Sequence, residues 1–356
     1  MPLLLLVLGA LVLSLAGAAP VAAVADEPDP PPIRAPTALP DPPPPAPRPR
    51  VITIAAAGDI ALSGPGDPFT SVRRALRADV VLGNLEGTLS TAAASKCGGA
   101  PAAGCYAFRA PTSSARVLAR AGFTVLNVAN NHANDHGSSG LAQTTAALAT
   151  AHLGHTGRPR QVAYRRIHGV RIAFVGFAPY PWAQSLLDLD AAARLVRRAT
   201  RRADVVVVTM HAGAEGSDRA HVRPGEEYYL GERRGNVVAF AHTVVRAGAD
   251  LVVGHGPHVL RGLEWYRGRL VAYSLGNFAG QHTLSTAGVL GTSAILRVKL
   301  HADGTFVRGR LVPVRLVGGG TPTLDPSHAA HALVRRLSRE DFQTSAVRML
   351  RGGTLR

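Results

Sequence analysis

Along this chain, short apolar runs repeatedly end in the same few polar residue types. Residues 51–57 run into Gly58-Asp59, and residues 79–82 into Gly83-Asn84-Leu85-Glu86. Residues 123–129 run into Asn130-Asn131-His132, with Asp135 three further on. A valine run ends in Met210-His211, with Glu215 four residues later. Residues 251–253 end in Gly254-His255-Gly256-Pro257-His258, and residues 270–275 in Gly276-Asn277. Carboxylate, carboxamide and imidazole are the hard and borderline donors that hold divalent cations. The set contains no thiolate, which points to Mn, Fe, Zn or Mg rather than copper or a structural zinc. Each ending alone has a plain structural reading. Asn and Asp are favoured at turns and N-caps, and a histidine after a strand is commonly a packed one. Turn chemistry would draw on Ser, Thr and Pro as well, so six endings with one bias predict a convergent metal site.

Two carboxylates (Asp59, Glu86) and four histidines (His132, His211, His255, His258) exceed what one ion needs. One or two ions are therefore expected. With two, a bridging water becomes nucleophilic at neutral pH, and the natural reaction is hydrolysis of a phosphoester, with an amide as the other option.

The elements that must position these groups follow from the pattern around them. From residue 51 onward, β-branched runs alternate with Ala/Arg-rich stretches of helical spacing. Helices are predicted over 71–77 (with Ser71 as cap), 112–121, 140–149, 190–202 and 236–247. The valine run from Val205 is too apolar for an exposed strand and predicts a central one covered on both faces. Hairpins are predicted at His168-Gly169, at Arg267-Gly268-Arg269 and at Asp303-Gly304. In open α/β sheets ligands bind at the carboxyl ends of strands, where these polar residues fall. The chain of 356 residues, 46% hydrophobic, reads as one layered α/β/α domain with mixed sheets over 51–317. Two helical segments, 327–337 and 340–350, would form a C-terminal helical extension, 318–356.

Residues 1–25 are apolar and end in Ala23-Val24-Ala25, which reads as a secretory signal peptide or as an uncleaved N-terminal anchor. Residues 26–50 form a Pro-rich linker that cannot build a core. The expected location is outside the cell or on the outer face of the membrane. Cys97 and Cys105, the only cysteines, flank Gly and Pro and read as a local disulfide; a metal pair would need further soft ligands. The net charge of +16 is carried almost wholly by Arg, since Lys occurs only at Lys96 and Lys299. A field of that sign suits a polyanion such as an anionic envelope polymer or lipid head groups. No nucleic-acid motif is visible. Arg-rich composition alone is the other explanation.

The order and spacing of Gly58-Asp59, Asn84-Leu85-Glu86, Asn130-Asn131-His132-x-x-Asp135, His211 with Glu215, Gly254-His255-x-Pro-His258-Val259 and Tyr273-Ser274-Leu275-Gly276-Asn277-Phe278 resemble the CapA-type capsule-synthesis family, the poly-gamma-glutamate biosynthesis group. The resemblance covers residues 53–312. It implies a calcineurin-like metallophosphoesterase fold, a four-layer sandwich, and a role in making or moving anionic capsule polymers. It further implies metal ligands Asp59, Glu86 (bridging), Asn131, His211, His255 and His258. His132, with Asp135 beside it, would carry the acid–base step as general acid at the leaving group. Asp135 and Glu215 would orient His132 and His211, unless they serve as a cap or surface charge; Asn84 and Asn277 would orient ligands or face the substrate. Two departures stand out. Ile60-Ala61 follows Asp59, so the histidine of an Asp-x-His motif is missing, and Gly256-Pro257 separates the final histidines. The expected function is an exported metal-dependent hydrolase acting on a phosphorylated substrate or an anionic polymer. The alternative is a non-catalytic polyanion-binding assembly or export factor.

Overall fold

The computed structural model describes residues 50–64, 66–98 and 104–356. The apolar segment 1–25 and residues 26–49 of the Pro-rich stretch lie outside the described residues. Among the described residues no helix is long and apolar enough to cross a membrane.

Strand Val51–Ile60 sets the plan. Ile52, Ile54 and Ala56 bury one face while Ala55 and Ala57 bury the other, so both sides of the strand must be covered. Its sheet runs Thr321–Leu324, Phe306–Val317, Thr292–His301, Val51–Ile60, Val80–Leu85, Val125–Asn127, Gly154–Thr156. Pairing is parallel from Val51–Ile60 to the Gly154–Thr156 edge and antiparallel on the other side. The second sheet runs Leu263–Tyr266, Arg269–Ala272, Leu251–His255, Val205–His211, Val170–Phe177, Ala163–Ile167, parallel at the centre and antiparallel at both edges.

The cores show how the layers stack. Ile52, Ile54, Val80 and Val125 of the first sheet meet Ile172, Phe174, Val205, Val207 and Val253 of the second in one inner core. Val206, Val208 and Val252 face outward onto helices Leu189–Thr200 and Val237–Arg246 through Val196, Phe240 and Val244. Ala55, Ala57 and Val81 face outward onto helix Ser114–Ala121 through Leu118 and Ala121. The result is the expected four-layer α/β/β/α sandwich with mixed sheets. Each valine of the central strand, fully buried, contributes roughly 1.5 kcal/mol or more over exposure. The two outer helices start at side-chain caps, Asp188 accepting from the Ala191 amide and Asn236 from the Ala239 amide.

Register brings the polar strand ends together. Asp59 pairs with Asn277 on one side and Asn84 on the other, Asn84 pairs with Asn127, and His211 pairs with His255. Because these strands are parallel, their polar ends form one row at the carboxyl edges of both sheets. The sheets also come close there. A Cβ on Gly176 would lie 2.2 Å from Asn127 Oδ1, so only glycine fits.

Several local expectations are corrected. The first helix is a single turn, Arg73–Leu76, and Ser71 does not cap it; its hydroxyl donates instead to the Pro322 carbonyl. The second strand extends to Leu85, so Asn84 lies inside it. Residues 318–356 hold strand as well as helix. Thr321–Leu324 and Thr354–Leu355 both pair with Phe306–Val317, and one helix, Ala329–Phe342, lies between them. A second helix over 340–350 does not form: Gln343 takes φ +46°, and Val347 and Met349 turn into the inner core. A hairpin, Glu227–Tyr229 with Glu232–Gly235, was not legible in the pattern.

Candidate metal centre

Asp59 ends the first strand, Glu86 follows the second, and His211 ends the valine strand. Their ligand atoms lie within 4.8 Å of one another, and all three side chains are fully buried. Asn84 Nδ2 donates to Asp59 Oδ1 at 2.9 Å and lies 3.1 Å from His211 Nδ1. Asn84 Oδ1 accepts from Asn127 Nδ2 (3.0 Å) and Asn130 Nδ2 (3.2 Å), which fixes the amide's orientation. Asn84 is thus a positioning group for Asp59 and His211, held by two further asparagines.

The other expected ligands surround this trio. His255 Nδ1 lies 3.4 Å from Asp59 Oδ1 without hydrogen-bond geometry. His258, in the left-handed region at φ +62°, reaches Asp59 Oδ2 (3.2 Å), Glu86 Oε1 (3.6 Å) and Glu215 Oε2 (3.5 Å). Asn277 Oδ1 lies 2.9 Å from His258 Nδ1. Glu215 pairs with Arg234 at 2.6 Å and accepts from Asn131 Nδ2 at 3.3 Å, so its partners are Arg234, His258 and Asn131 rather than the expected His211. Where an Asp-x-His motif would place an imidazole, Ala61 is buried and its amide donates to the Ala279 carbonyl.

The electrostatics follow from burial against partners. Burial pushes the Glu86 carboxyl well above the ordinary range, with Asp59 and Glu215 adding to it against His258. Burial also acts upward on Asp59, but His255 and His258 outweigh it and hold that carboxyl well below its ordinary value. Glu215 is pulled down to about 2: burial opposes the shift, and His258 and Arg234 overcome it. Burial drives His211 well below its ordinary value. It acts on His258 in the same direction, but Glu86, Asp59 and Glu215 reverse it and raise the imidazole well above.

The donor set fits a divalent cation. Both Glu86 oxygens, both His255 nitrogens and Asn131 Oδ1 are buried without a hydrogen-bond partner among the described residues. All are ligand-type atoms. A buried, unpaired carboxylate is costly unless a cation meets it.

Beside the trio, His132 Nδ1 lies 2.8 Å from Asp135 Oδ2. Asp135 is fully buried and also accepts the Phe108 amide at 2.6 Å, so it orients the imidazole and does not itself face the cleft. The Phe108 ring stacks on His132 at 4.1 Å. Burial lowers His132, against the hydrogen bond and charge of Asp135. A cleft of about 700 Å³ joins His132, Asn131, His258, Glu215 and Asn277 to Tyr180 and Trp182, which stack at 5.2 Å. Glu264, in contrast, binds His242, Tyr273 and Ser345 away from these groups and is structural.

Comparison with known proteins adds the family. The model described as "Bacterial capsule synthesis protein PGA_cap" matches residues 46–282. The chain belongs to this family. It is 28% identical over 251 residues to the "Capsule biosynthesis protein CapA" of Bacillus anthracis, covering 65% of this chain and 57% of that protein. It is 32% identical over 209 residues to the "PGA biosynthesis protein CapA" of Bacillus subtilis, covering 54% of this chain and 51% of that one. The chain thus spans little more than half the length of these relatives. Among solved structures, a putative 5'-nucleotidase from Staphylococcus aureus, in complex with alpha-ketoglutarate, matches at a TM-score of 0.45 with 14% identity, covering 81% of this chain and 58% of that one.

Two groups of this PGA_cap-family site escaped the sequence. Arg234 is fully buried; besides Glu215 it lies 3.5 Å from His211 Nε2, and its guanidinium sits 5.9 Å from the centre of the Tyr180 ring. It is one arginine among many, on a hairpin with no apolar alternation. Lys96 reaches Asp135 Oδ1 at 2.6 Å. Its rarity in an Arg-rich chain was the one signal available. The Cys97–Cys105 disulfide is formed.

Proposed function

We propose that this chain is an exported, metal-dependent hydrolase of the capsule-synthesis family, acting on a phosphoester or an amide of an anionic polymer. The single observation that carries this is the buried Asp59–Glu86–His211 trio, in which neither Glu86 oxygen has a hydrogen-bond partner among the described residues. Asp59, Glu86 and His211, with Asn131, His255 and His258 around them, would hold the ion. A divalent ion there would polarise a substrate oxygen and lower the pKa of a water. The protein's own groups supply the rest. Asn84 holds Asp59 and His211 in register. Asp135 fixes the His132 ring through Nδ1, and Nε2, with no hydrogen-bond partner among the described residues, would exchange a proton with substrate or water. Arg234 balances Glu215, and Tyr180 with Trp182 gives the cleft an apolar wall.

A screen of phosphoesters and polyglutamate with added Mn tests the reading. Turnover is expected, with His132→Ala losing about 10²–10⁴-fold and Asp59→Ala losing it altogether. Turnover that survives both substitutions would overturn it.

A second reading, a non-catalytic polyanion binder, is favoured by one surface. On neighbouring strands Arg297 stands opposite Arg310, and Lys299 opposite Arg308. Directly opposed like charges destabilise a sheet, and burial together with Arg310 and Arg308 lowers Arg297. A carboxylate polymer would relieve that repulsion. This reading expects salt-sensitive binding of polyglutamate that falls at least ten-fold in the Arg308→Glu/Arg310→Glu double variant. Absent or salt-insensitive binding contradicts it.

A further inference from the structure

We propose that Lys96 is a positioning residue for the His132–Asp135 pair and that the Cys97–Cys105 disulfide holds it in place. The inference rests on His132 being the proton-handling group of the proposed site. Asp135 is gripped from both sides of the disulfide. On the Cys97 side, Lys96 Nζ lies 2.6 Å from Asp135 Oδ1, and the Lys96 amide donates to the Asp135 carbonyl at 2.7 Å. On the Cys105 side, the Phe108 amide donates to Asp135 Oδ2, and the Phe108 ring covers His132.

The two sides differ in what else secures them. Residues 108–110 are tied to strand Thr88–Leu89, with the Thr88 and Ser90 amides donating to the Phe108 and Ala110 carbonyls. Residues 91–98 belong to no helix or strand and are mostly exposed. Apart from Lys96 itself, that stretch is fixed at its start by Thr91 on Gln143 Oε1, by the Ala92 amide on Ser90 Oγ and by Arg109 on the Ala92 carbonyl, and beyond that by His136 against the Ala94 carbonyl and by the covalent bond from Cys97 to Cys105. The disulfide therefore ties the end of that stretch, one residue from Lys96, to the segment that leads into residues 108–110.

The chemical consequence lies at His132. Asp135 Oδ2 can hold the Nδ1 proton only while the carboxylate keeps its orientation. The Lys96 ammonium pairs with Oδ1 through its charge, outside hydrogen-bond geometry, and lies 3.4 Å from His132 Nδ1, while the Phe108 amide donates to Oδ2; between them they fix the carboxylate's orientation. Without Lys96 the carboxylate can rotate, and the ring loses its preference for the Nδ1–H tautomer that leaves Nε2 open to the cleft. An oxidising compartment thus sets the pair, and a reducing one leaves it slack.

The test compares the disulfide-bonded chain, the same chain reduced with a phosphine (which passes two electrons to the sulfurs, water supplying the two thiol protons and the oxygen of the phosphine oxide), and the Cys97→Ser/Cys105→Ser variant. Amide hydrogen exchange and the ¹⁵N shifts of the His132 ring are read in chelator-treated protein. Breaking the disulfide is expected to speed exchange of the Lys96 amide at least ten-fold, to leave the Thr88 and Ser90 amides protected, and to average the His132 tautomers. Lys96→Met, with the disulfide intact, should average the tautomers as well, and Lys96→Arg should restore them in part. Unchanged Lys96 exchange in the reduced chain, or an unchanged His132 tautomer in Lys96→Met, overturns the proposal. Should reduction unfold the chain, Lys96→Met alone decides. These readouts need no turnover, so a chain that hydrolyses nothing but shows them would sink the hydrolase reading and leave this one standing.

Discussion

Glu86 sits among ionisable groups, with His258 and His211 3.6 and 3.7 Å from Oε1, but without a hydrogen bond among the described residues. It is fully buried, both oxygens lack a hydrogen bond, and burial holds its carboxyl well above the ordinary range. A group that destabilises the fold while serving a ligand trades stability for function. Glu86→Gln should therefore raise the stability of chelator-treated protein by about 1–3 kcal/mol, a rise of several degrees in Tm. The same change should abolish the stabilisation that added Mn gives the native chain, both measured by thermal melts. Asp59, Glu86 and His211 were legible because each ends an apolar run, where a buried polar group demands a reason. Arg234 and Lys96 were not. Lys96 is 39 residues from Asp135 in the chain, and only the fold brings them to 2.6 Å.

The central strands were legible because burial on both faces forces continuous valine, as in Val205–His211. The Glu227–Tyr229 and Glu232–Gly235 hairpin gave no such signal. It is held by side chains instead, Arg261 being fully buried and making two bonds to Glu227 at 2.9 and 2.7 Å. The segment 340–350 misled for a related reason, since helical spacing of apolar residues does not reveal a chain that reverses to reach a sheet edge. At strand Leu251–His255 a titration can be read. Asp250 precedes it, accepts the Val206 amide at 2.8 Å and meets Arg269 at 3.1 Å, yet burial outweighs both and lifts its carboxyl to about 6. The folded chain then holds this proton more tightly than the unfolded one, so its contribution is full below about pH 4 and is lost as pH rises through 6. Asp250→Asn should flatten the stability profile between pH 4 and 6 by about 2–3 kcal/mol relative to the native chain, seen as converging denaturant midpoints. Parallel profiles would contradict the assignment.

At the scale of the whole molecule, the architecture matters because it makes one edge from two sheets. Asp59 and Asn84 come from the first and His211 and His255 from the second, each pair in register. Glycine at 176 lets the sheets close up at that end. The layered α/β class was readable from the alternation of runs. The meeting of two separate sheets was not, since register between sheets is set by packing and leaves no periodicity in the sequence. The central claim is that this edge holds a divalent cation. Metal analysis of the purified chain, stripped with chelator and reloaded with Mn or Zn, tests it most directly, with affinity read by calorimetry. At least one ion should bind per chain, and Asp59→Asn and His211→Ala should each weaken binding by about 10–100-fold or more. A native chain that retains no more metal than Asp59→Asn would contradict the account.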